Sequence, residues 1–571
     1  MHFGLATMFH KYVKGSLTWE EVRQVTATKR LDLACCRRDS AAFQVLMAAD
    51  EAFLLTTSTD PLFWKGGPLN IVRLEINTDA PVRTEVRLIG LIEDDDGCLK
   101  SDVLLEQSAM FVERWHLQQV WVECETTDAS QPGVYSGRVR IYARTLFEDE
   151  RLLGECQFSL TIKDYLLPEP SQYRFYLDLW QHNSNIARKY DVRLWSDEHF
   201  AILDRYLHSL AQLGQKAVSV VVSEIPWSGQ HSHRDPEPAD LFEYSMVRVT
   251  RRGDGQFVYD FSVIDRYVAL AERYGIAAEI ELFGLLNIWQ DPEAGYGSVI
   301  ADHPDGVRIR YYDSGSGTFR FMRRREDFDA YVRALQAHFI EKGWIDRVRV
   351  LADEPKEFAV FKERVAALRQ VAPCFRYKIA IAQTAFLHHN LSEIHDYVPI
   401  LQCVAAKYER LLERKPQIPG KLLYYVCCHP DFPNTFIGSP PVECRLIPWL
   451  AEKWKLDGFL RWNYTVWPER PLEKLSYRAP VWKAGDMNFV YPGAAGKPLL
   501  SLRYKWLQRG IRDYELMQLL KESGQSDQVE RVLNRVFLFQ DASEFCPEAK
   551  KTRAELYSLN PADYDQLIHE L

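Results

Sequence analysis

Apolar and polar residues alternate along short stretches in the first 167 residues of the chain. A period of two is typical of strands that bury one face and expose the other. Turn-forming clusters rich in Asp, Gly and Pro separate these stretches, and helical periodicity is weak. The pattern therefore predicts an antiparallel β-sandwich domain over residues 1–167. The alternating stretches are 42–47, 69–76, 82–88, 119–124, 137–142 and 154–162.

The pattern changes at about residue 172, where short apolar runs begin to alternate with segments of helical period. Strands that alternate with helices in this way predict an α/β fold, with a (β/α)8 TIM-type barrel over residues 172–515. The remaining residues, 516–571, are predicted to form a helical C-terminal segment. The candidate strands are 173–178, 217–222, 277–282, 347–351, 377–381, 400–404, 421–426 and 458–462. The candidate helices between them include 199–213, 261–274 and 328–342.

Two adjacent acids, Asp353 and Glu354, follow the fourth predicted strand and precede a proline. Adjacent side chains of a strand point to opposite faces, so neighbouring acids are not a packing pattern. Like charges side by side push their pKa values apart, and general acid catalysis near neutral pH requires such a separation. A solvated loop before the next helix is the alternative interpretation. The active site of a barrel lies at the C-terminal ends of its strands, so the position favours a catalytic pair.

Polar and aromatic residues also follow other predicted strands. Asp178 ends the first strand, Trp227 follows the second, Tyr425 lies in the seventh, and Trp462 and Asn463 come at the end of the eighth. Each of these residues alone could belong to the core. Because the C-terminal ends of the strands meet on one side of a barrel, together they predict one binding site.

Charge and cysteine content narrow the range of partners. The net charge of -9 and the pI near 6.0 argue against a nucleic-acid backbone as the ligand. No run approaches the ~20 apolar residues that cross a bilayer, and the first residues lack the features of a secretion signal, so we expect a cytoplasmic protein without a membrane partner. The eleven cysteines lack metal-ligand spacing and predict free thiols, with adjacent pairs such as Cys427–Cys428 unbridged. Nothing in the sequence predicts an oligomeric state.

Several motifs stand out toward the C-terminal end of the chain. They are the segments 457–467, 485–486, 491–493 and 501–514, with the shorter segments 195–199 and 214–216 upstream. These motifs resemble the DUF4091 domain, from about residue 420, and the related glycoside hydrolase family 123. This family carries a catalytic Asp-Glu pair, and Asp353-Glu354 stand at its position. The resemblance implies an exo-acting, retaining β-N-acetylgalactosaminidase whose substrate is a glycan with a terminal β-linked N-acetylgalactosamine (GalNAc).

The resemblance also implies a separate role for each acid. Glu354 would protonate the glycosidic oxygen, its pKa raised by the Asp353 charge, while Asp353 would hold the N–H of the substrate's 2-acetamido group. The acetamido oxygen would attack the anomeric carbon and form an oxazolinium intermediate, a route that departs from the two-carboxylate scheme and needs no cofactor or metal. The candidates for the remaining substrate contacts are Tyr425 as a donor to the acetamido oxygen, Trp462 as an apolar floor, and Asn463, Asp486, Asp178 and Trp227.

Three alternatives remain open. The same mechanism could act on β-linked N-acetylglucosamine (GlcNAc), or on both sugars. A conventional retaining glycosidase would use Glu354 as the acid and a carboxylate near the seventh strand, such as Asp431, as the nucleophile. The third alternative is a sugar-binding protein on a barrel that has lost its activity.

Overall fold

Two packed β-sheets form the N-terminal part of the chain in the computed structural model, which describes residues 1–59, 70–145, 147–226, 242–286, 299–300, 306–389, 392–476 and 482–571. Six of the eleven strands, β3, β5, β6, β9, β10 and β11, correspond to the predicted alternating stretches, and the other five were not predicted. In chain order the strands are β1 (His2–Thr7), β2 (Arg30–Arg37), β3 (Ser40–Ala48), β4 (Phe53–Thr56), β5 (Ile71–Thr78), β6 (Arg83–Glu93), β7 (Leu99–Leu105), β8 (Ala109–Val112), β9 (Gln118–Glu125), β10 (Gly133–Arg144) and β11 (Arg151–Leu166), with helix α1 (Trp19–Val25) after β1.

The strand orders are β1-β3-β9-β6-β7 in one sheet and β2-β11-β10-β5-β4-β8 in the other. Neighbours are antiparallel except β2 with β11 and β4 with β5. Apolar side chains of both sheets meet between them, and the rings of Phe43 and Phe158 lie 4.9 Å apart there. Gly137 on β10 lies directly against the Phe158 ring, so a Cβ at this position would displace that ring and open the core.

Parallel strands connected through helices follow the sandwich. The strands are β12 (Tyr176–Leu179), β13 (Ala217–Val221), β14 (Ile225–Pro226), β15 (Phe242–Glu243), β16 (Arg248–Arg251), β17 (Phe257–Asp260), β18 (Glu279–Phe283), β19 (Arg310–Asp313), β20 (Thr318–Phe321), β21 (Val348–Asp353), β22 (Arg376–Ile381), β23 (Ile394–Pro399), β24 (Leu423–Tyr425), β25 (Gly458–Arg461), β26 (Val490–Pro492) and β27 (Pro498–Leu500). Eight of them form two parallel sheets, β12-β25-β24 and β13-β18-β21-β22-β23. The mixed α/β class and the antiparallel N-terminal domain are confirmed, whereas the eight strands form two sheets and not one continuous sheet.

The helices of this part surround the parallel sheets and extend to the end of the chain. Across the described ranges, each of them is too short or too polar to span a lipid bilayer. The boundary predicted after residue 515 falls inside α10. The helices are α2 (Asn183–Lys189), α3 (Asp197–Ala211), α4 (Ser262–Glu272), α5 (Arg325–Glu341), α6 (Phe358–Val371), α7 (Leu401–Ala406), α8 (Tyr408–Arg414), α9 (Pro441–Lys453), α10 (Leu502–Glu522), α11 (Ser526–Val536), α12 (Arg553–Leu556) and α13 (Pro561–His569).

The prediction of the sixth parallel strand was wrong. The segment 400–404 begins α7, and the strand is β23 just before it. A short, continuously apolar run fits a buried helix as well as a strand, so its pattern could not decide. β23 was missed because it carries Asp396, which is buried by pairing with Arg349 at 2.5 Å and is therefore not a sign of solvent exposure.

The helix α10 joins the sandwich to the rest of the chain through buried ion pairs. Arg503 binds Asp102 of β7 at 2.9 Å, and Arg509 binds Asp39 at 2.8 Å. Arg503 also donates to the carbonyl groups of Gly485 and Asn488, at 3.0 and 2.6 Å. The segment 501–514, which stands out in the sequence, thus connects the sandwich to the loop that carries Asp486.

Candidate active site

The acidic pair lies at the C-terminal end of β21. Asp353 is the last residue of the strand and is buried, and Glu354 follows it with a φ of 47°. This left-handed conformation is uncommon for a residue other than glycine and is found at functional sites more often than elsewhere. The Glu354 N–H donates to the carbonyl of Ala380 on the neighbouring strand β22, at 3.2 Å. The turn therefore ends the strand alternation directly after Asp353 and gives Glu354 a fixed backbone position.

Tyr425 meets Glu354 from the other parallel sheet. It is the last residue of β24 and is buried, and its hydroxyl donates to Oε1 of Glu354 at 2.5 Å. A hydrogen bond to a charged acceptor is among the stronger interactions in proteins, so it orients the carboxylate. The structure therefore brings together three residues that the sequence predicted for one site, Asp353, Glu354 and Tyr425.

Burial raises the pKa of Glu354 above its ordinary value, while the Tyr425 hydrogen bond and the positive charge of His429 lower it. The direction agrees with the prediction, but the cause differs, because burial and not the neighbouring Asp353 charge raises this pKa. A low-dielectric surrounding disfavours the charged carboxylate in the same way at any buried position. A carboxyl group that keeps its proton at higher pH is suited to act as a general acid.

A second buried carboxylate, Asp486, lies beside Trp462. Its Oδ1 accepts from the Trp462 indole N–H at 3.1 Å and from Arg461 at 2.7 Å. Burial raises the pKa of Asp486, and the Arg461 charge lowers it. Within the described residues, Oδ2 of Asp486 is buried without a hydrogen-bond partner. A buried acceptor without a hydrogen bond lowers the stability of the fold, so this oxygen is a candidate to bind a polar ligand group.

His429 connects the two carboxylates electrostatically. Its charge lowers the pKa of Glu354 and also that of Asp486, and its own side chain is exposed. His429 is therefore near enough to both the Glu354–Tyr425 pair and the Asp486–Trp462 pair to act on each carboxylate. Neither His429 nor Arg461 was predicted as a site residue. An arginine inside the otherwise apolar strand β25 is the signal that could have drawn attention to Arg461, since a buried arginine needs an acidic partner.

Asn463 contacts its own loop. Its side chain is completely buried, and its Oδ1 accepts from the N–H groups of Thr465 and Val466, both at 3.1 Å. This is the local pattern by which asparagine shapes a turn. Oδ1 of Asn463 thus holds the loop after β25, while its Nδ2 is, among the described residues, buried without a hydrogen-bond partner. That Asn463 binds a sugar hydroxyl stays a prediction.

Asp178 lies in a buried ion cluster. The Lys378 ammonium is 2.5 Å from Asp178, 2.9 Å from Glu279 and 2.7 Å from Glu281, and all four side chains are buried. The carboxylates are close enough together to hold one cation, and Lys378 takes that place. Burial and the Asp178 charge raise the pKa of Glu281 well above its ordinary value, which reduces the excess of negative charge. Through Oδ2, Asp178 belongs to the ion cluster between β12, β18 and β22, and that it binds substrate stays a prediction.

The two remaining predicted residues give different outcomes. Trp227 lies outside the described residues. Asp431, the alternative nucleophile, has a largely exposed side chain that pairs with Lys483 at 2.6 Å. The hydrogen bond with Lys483 lowers the pKa of Asp431, so the group is ionised but held at the surface by its partner.

Comparisons with known proteins agree with this arrangement. Residues 180–520, more than half of the chain, match the family described as glycoside hydrolase 123, catalytic domain. The structure is similar to that of a family 123 glycoside hydrolase from Clostridium perfringens that was analysed for glycolipid glycan hydrolysis, with a TM-score of 0.74, 17% identity, and coverage of 100% of this chain and 96% of that chain. A β-D-glucuronidase of Dictyoglomus thermophilum has a TM-score of 0.31 at 10% identity over 84% of this chain and 67% of its own. No curated protein matches the sequence.

Proposed function

The chain belongs to glycoside hydrolase family 123 and is a glycosidase, and from this premise we propose that it releases β-linked GalNAc from the non-reducing ends of glycans by substrate-assisted catalysis. The observation that carries the proposal is the end of β21. There Glu354 is half-buried, keeps its proton to higher pH and is hydrogen-bonded to Tyr425, with Asp353 directly beside it. One carboxyl group is thus prepared to donate a proton, and a second carboxylate lies directly beside it.

In the proposed reaction, Glu354 donates its proton to the glycosidic oxygen as the bond to the anomeric carbon breaks. Asp353 accepts a hydrogen bond from the acetamido N–H and stabilises the positive charge that develops there. The acetamido oxygen forms the new bond to the anomeric carbon, and the aglycone leaves with the proton from Glu354. Glu354, now a carboxylate, takes a proton from the water that opens the oxazolinium ring, which regenerates the acid and retains the configuration.

Two residues near His429 support a sugar site next to these acids. Trp462 offers an aromatic ring, and Asp486 offers the buried oxygen without a partner. Aromatic faces and a few placed polar groups are what a sugar pocket requires. We assign Trp462 to the apolar side of the sugar or its acetamido methyl group, and Asp486 to a hydroxyl. We also infer a glycolipid glycan as the substrate class, because the similar Clostridium perfringens enzyme was analysed with such glycans.

We further infer that the eight parallel strands belong to one (β/α)8 ring. Isolated parallel bridges pair Leu177 with Gln215, Tyr397 with Leu422 and Ile400 with Tyr425. The first bridge links β12 to the segment before β13, and the other two link β23 to β24, so they join both edges of the two sheets. This arrangement supports a common mouth for β21, β24 and β25, whose ends carry Glu354, Tyr425 and Trp462.

The test of the proposed function is a panel of p-nitrophenyl β-glycosides of GalNAc, GlcNAc, galactose and glucose. We expect hydrolysis of the GalNAc compound, with kcat/KM for it at least about tenfold above that for each 2-hydroxy sugar, because only the acetamido group supplies the nucleophile. Equal rates for GalNAc and galactose would show a conventional nucleophile and exclude substrate assistance. Faster hydrolysis of the GlcNAc compound would identify GlcNAc as the preferred sugar and leave the proposed mechanism in place. Tight binding without turnover would show a sugar-binding protein.

The pH dependence of hydrolysis depends on the hydrogen bond between Tyr425 and Glu354. Donation by the hydroxyl stabilises the charged carboxylate and lowers its pKa, so Tyr425→Phe raises the pKa of Glu354. The acid must be protonated, and activity is therefore lost as pH rises through this pKa. We expect the basic limb of kcat/KM against pH to move to higher pH in Tyr425→Phe, together with a lower maximum. Tyr424→Phe is the matched control, since the Tyr424 hydroxyl donates to the Ile447 carbonyl and not to Glu354. A basic limb that stays in place would contradict the role of Tyr425.

A further inference from the structure

Two neighbouring cysteines, Cys427 and Cys428, follow the strand that carries Tyr425. Their Sγ atoms are 3.7 Å apart, and both residues are partly exposed. The N–H of Cys427 donates to the carbonyl of His429 at 2.9 Å, so the backbone forms a tight turn at the pair. The two thiols therefore lie between Tyr425 and His429, two residues that act on the Glu354 carboxylate.

The chain contains a second adjacent pair, Cys35–Cys36, in a different setting. Both residues are completely buried in β2, where successive side chains point to opposite faces. Accordingly, Cys35 packs into the core of the sandwich and Cys36 into the larger apolar cluster. Adjacency in the sequence is thus not enough to bring two thiols together, and the turn at Cys427–Cys428 is what does so.

We propose that Cys427 and Cys428 form a reversible redox modification site that switches the active site off when a low-molecular-weight disulfide, such as oxidised glutathione, converts them into a vicinal disulfide. This inference rests on the proposed function for its effect on activity, but the modification itself does not depend on it. The sequence predicts free thiols at this pair, and the proposal adds a second, oxidised state.

The chemistry is a thiol–disulfide exchange in two steps. The Cys428 thiolate attacks the external disulfide, forms a mixed disulfide and releases one external thiolate. Cys427 then attacks the Cys428 sulfur, which forms the bond between the two cysteines and releases the second external thiol. Contact with Cys428 and burial raise the pKa of Cys427, so Cys427 is the thiol that reacts second, where its nearness to the mixed disulfide compensates for its low thiolate content. Two protein thiols are oxidised, and one external disulfide is reduced to two thiols.

Formation of a disulfide between Cys427 and Cys428 requires the backbone of their turn to move. The distance between the Sγ atoms falls from 3.7 Å to a bond length of about 2.0 Å. Adjacent Cα atoms are about 3.8 Å apart, less than the ~4.4–6.8 Å that is usual across a disulfide, so the ring is strained and easily reduced again. The backbone adjustment falls between Tyr425 and His429, and displacements of about 1 Å at a catalytic hydrogen bond cost on the order of 10²-fold in rate.

The experiment treats the whole protein with oxidised glutathione and then divides the sample. One part is alkylated and digested, and the cysteine-containing peptides are weighed. We expect the peptide with Cys427 and Cys428 to lose two hydrogen atoms and to resist alkylation, while the peptide with Cys35 and Cys36 remains unmodified. The other part is assayed on the GalNAc glycoside, where we expect at least a tenfold loss of kcat/KM that dithiothreitol restores.

Variants distinguish inactivation by the Cys427–Cys428 disulfide from general oxidative damage. Cys428→Ala, compared with its own untreated sample, is expected to keep its activity in oxidised glutathione. Cys374→Ser removes an exposed single cysteine and is expected to lose activity on oxidation as the wild type does. If Cys427 and Cys428 stay open to alkylation after treatment, the site does not exist. If the disulfide forms and the rate is unchanged, the switch is wrong. If no glycoside is hydrolysed by any sample, the proposed function fails, and the peptide masses alone decide the modification site.

Discussion

Replacing Glu354 with Gln is expected to lower kcat/KM for the GalNAc glycosides by about 10²–10⁴-fold. The amide cannot donate a proton to the departing oxygen, although it fills the same space and can still accept the Tyr425 hydrogen bond. The loss should grow with the pKa of the leaving group, because a poor leaving group depends more on protonation. The measurement is a series of aryl β-GalNAc glycosides, from p-nitrophenyl to phenyl, assayed with wild type and variant side by side.

The control for this prediction is Glu357→Gln, an exposed carboxylate three residues further along the chain. It is expected to keep the wild-type rate on every glycoside in the series. Thermal unfolding of both variants should follow that of the wild type, since neither change alters side-chain volume. A Glu354 variant that hydrolyses the phenyl glycoside at the wild-type rate would remove Glu354 from the role of general acid.

Replacing Asp353 with Asn is expected to lower kcat/KM for the GalNAc glycosides by about 10²–10³-fold, the usual effect of losing one stabilising group at a charge that develops in the transition state. Asn presents a neutral acceptor to the acetamido N–H, so the oxazolinium charge loses its counter-charge. The interaction strengthens as the acetamido oxygen attacks, and kcat should therefore fall more than KM rises. Steady-state kinetics on GalNAc substrates measure both quantities.

The matched control is Asp346→Asn, near the opposite end of the same strand, where the carboxylate is exposed and pairs with Arg376 at 2.7 Å. This substitution removes one carboxylate charge near β21 but changes no residue of the candidate site. We therefore expect little change in kcat. Normal kcat in Asp353→Asn would assign its role to another group. A rise in KM alone would make Asp353 a binding residue that contributes equally before and during the reaction.

A position at the end of a strand was informative for residues whose side chains lie next to another residue of the candidate site. Asp353 and Glu354 could be predicted because adjacent acids at the end of an apolar strand have no packing explanation, and Tyr425 because it ends another strand of the same set. The same rule was less informative for Asp178. Its Oδ2 pairs with Lys378, and a buried lysine can neutralise a buried acid without any substrate.

The contacts of other residues could not be predicted from the sequence. Asp486 and His429 come from loops, and their relation to Trp462 and Glu354 depends on how chain segments more than twenty residues apart approach each other. Arg503 looked like part of a family motif, but its partner Asp102 lies about four hundred residues earlier, in the sandwich. Side-chain contacts of this range are set by packing, which no local pattern contains.

The sequence by itself determined the alternation of strands and helices, the class of fold, the acidic pair and the family, because each of these is encoded in residues that are close together in the chain. Only the tertiary structure decided that burial raises the pKa of Glu354, that Tyr425 holds its carboxylate, and that Asp178 and Asn463 have internal partners. The reason is that exposure and hydrogen-bond partners are properties of the folded chain, and the same carboxylate is an acid catalyst, an ion-pair member or a solvated group according to what surrounds it.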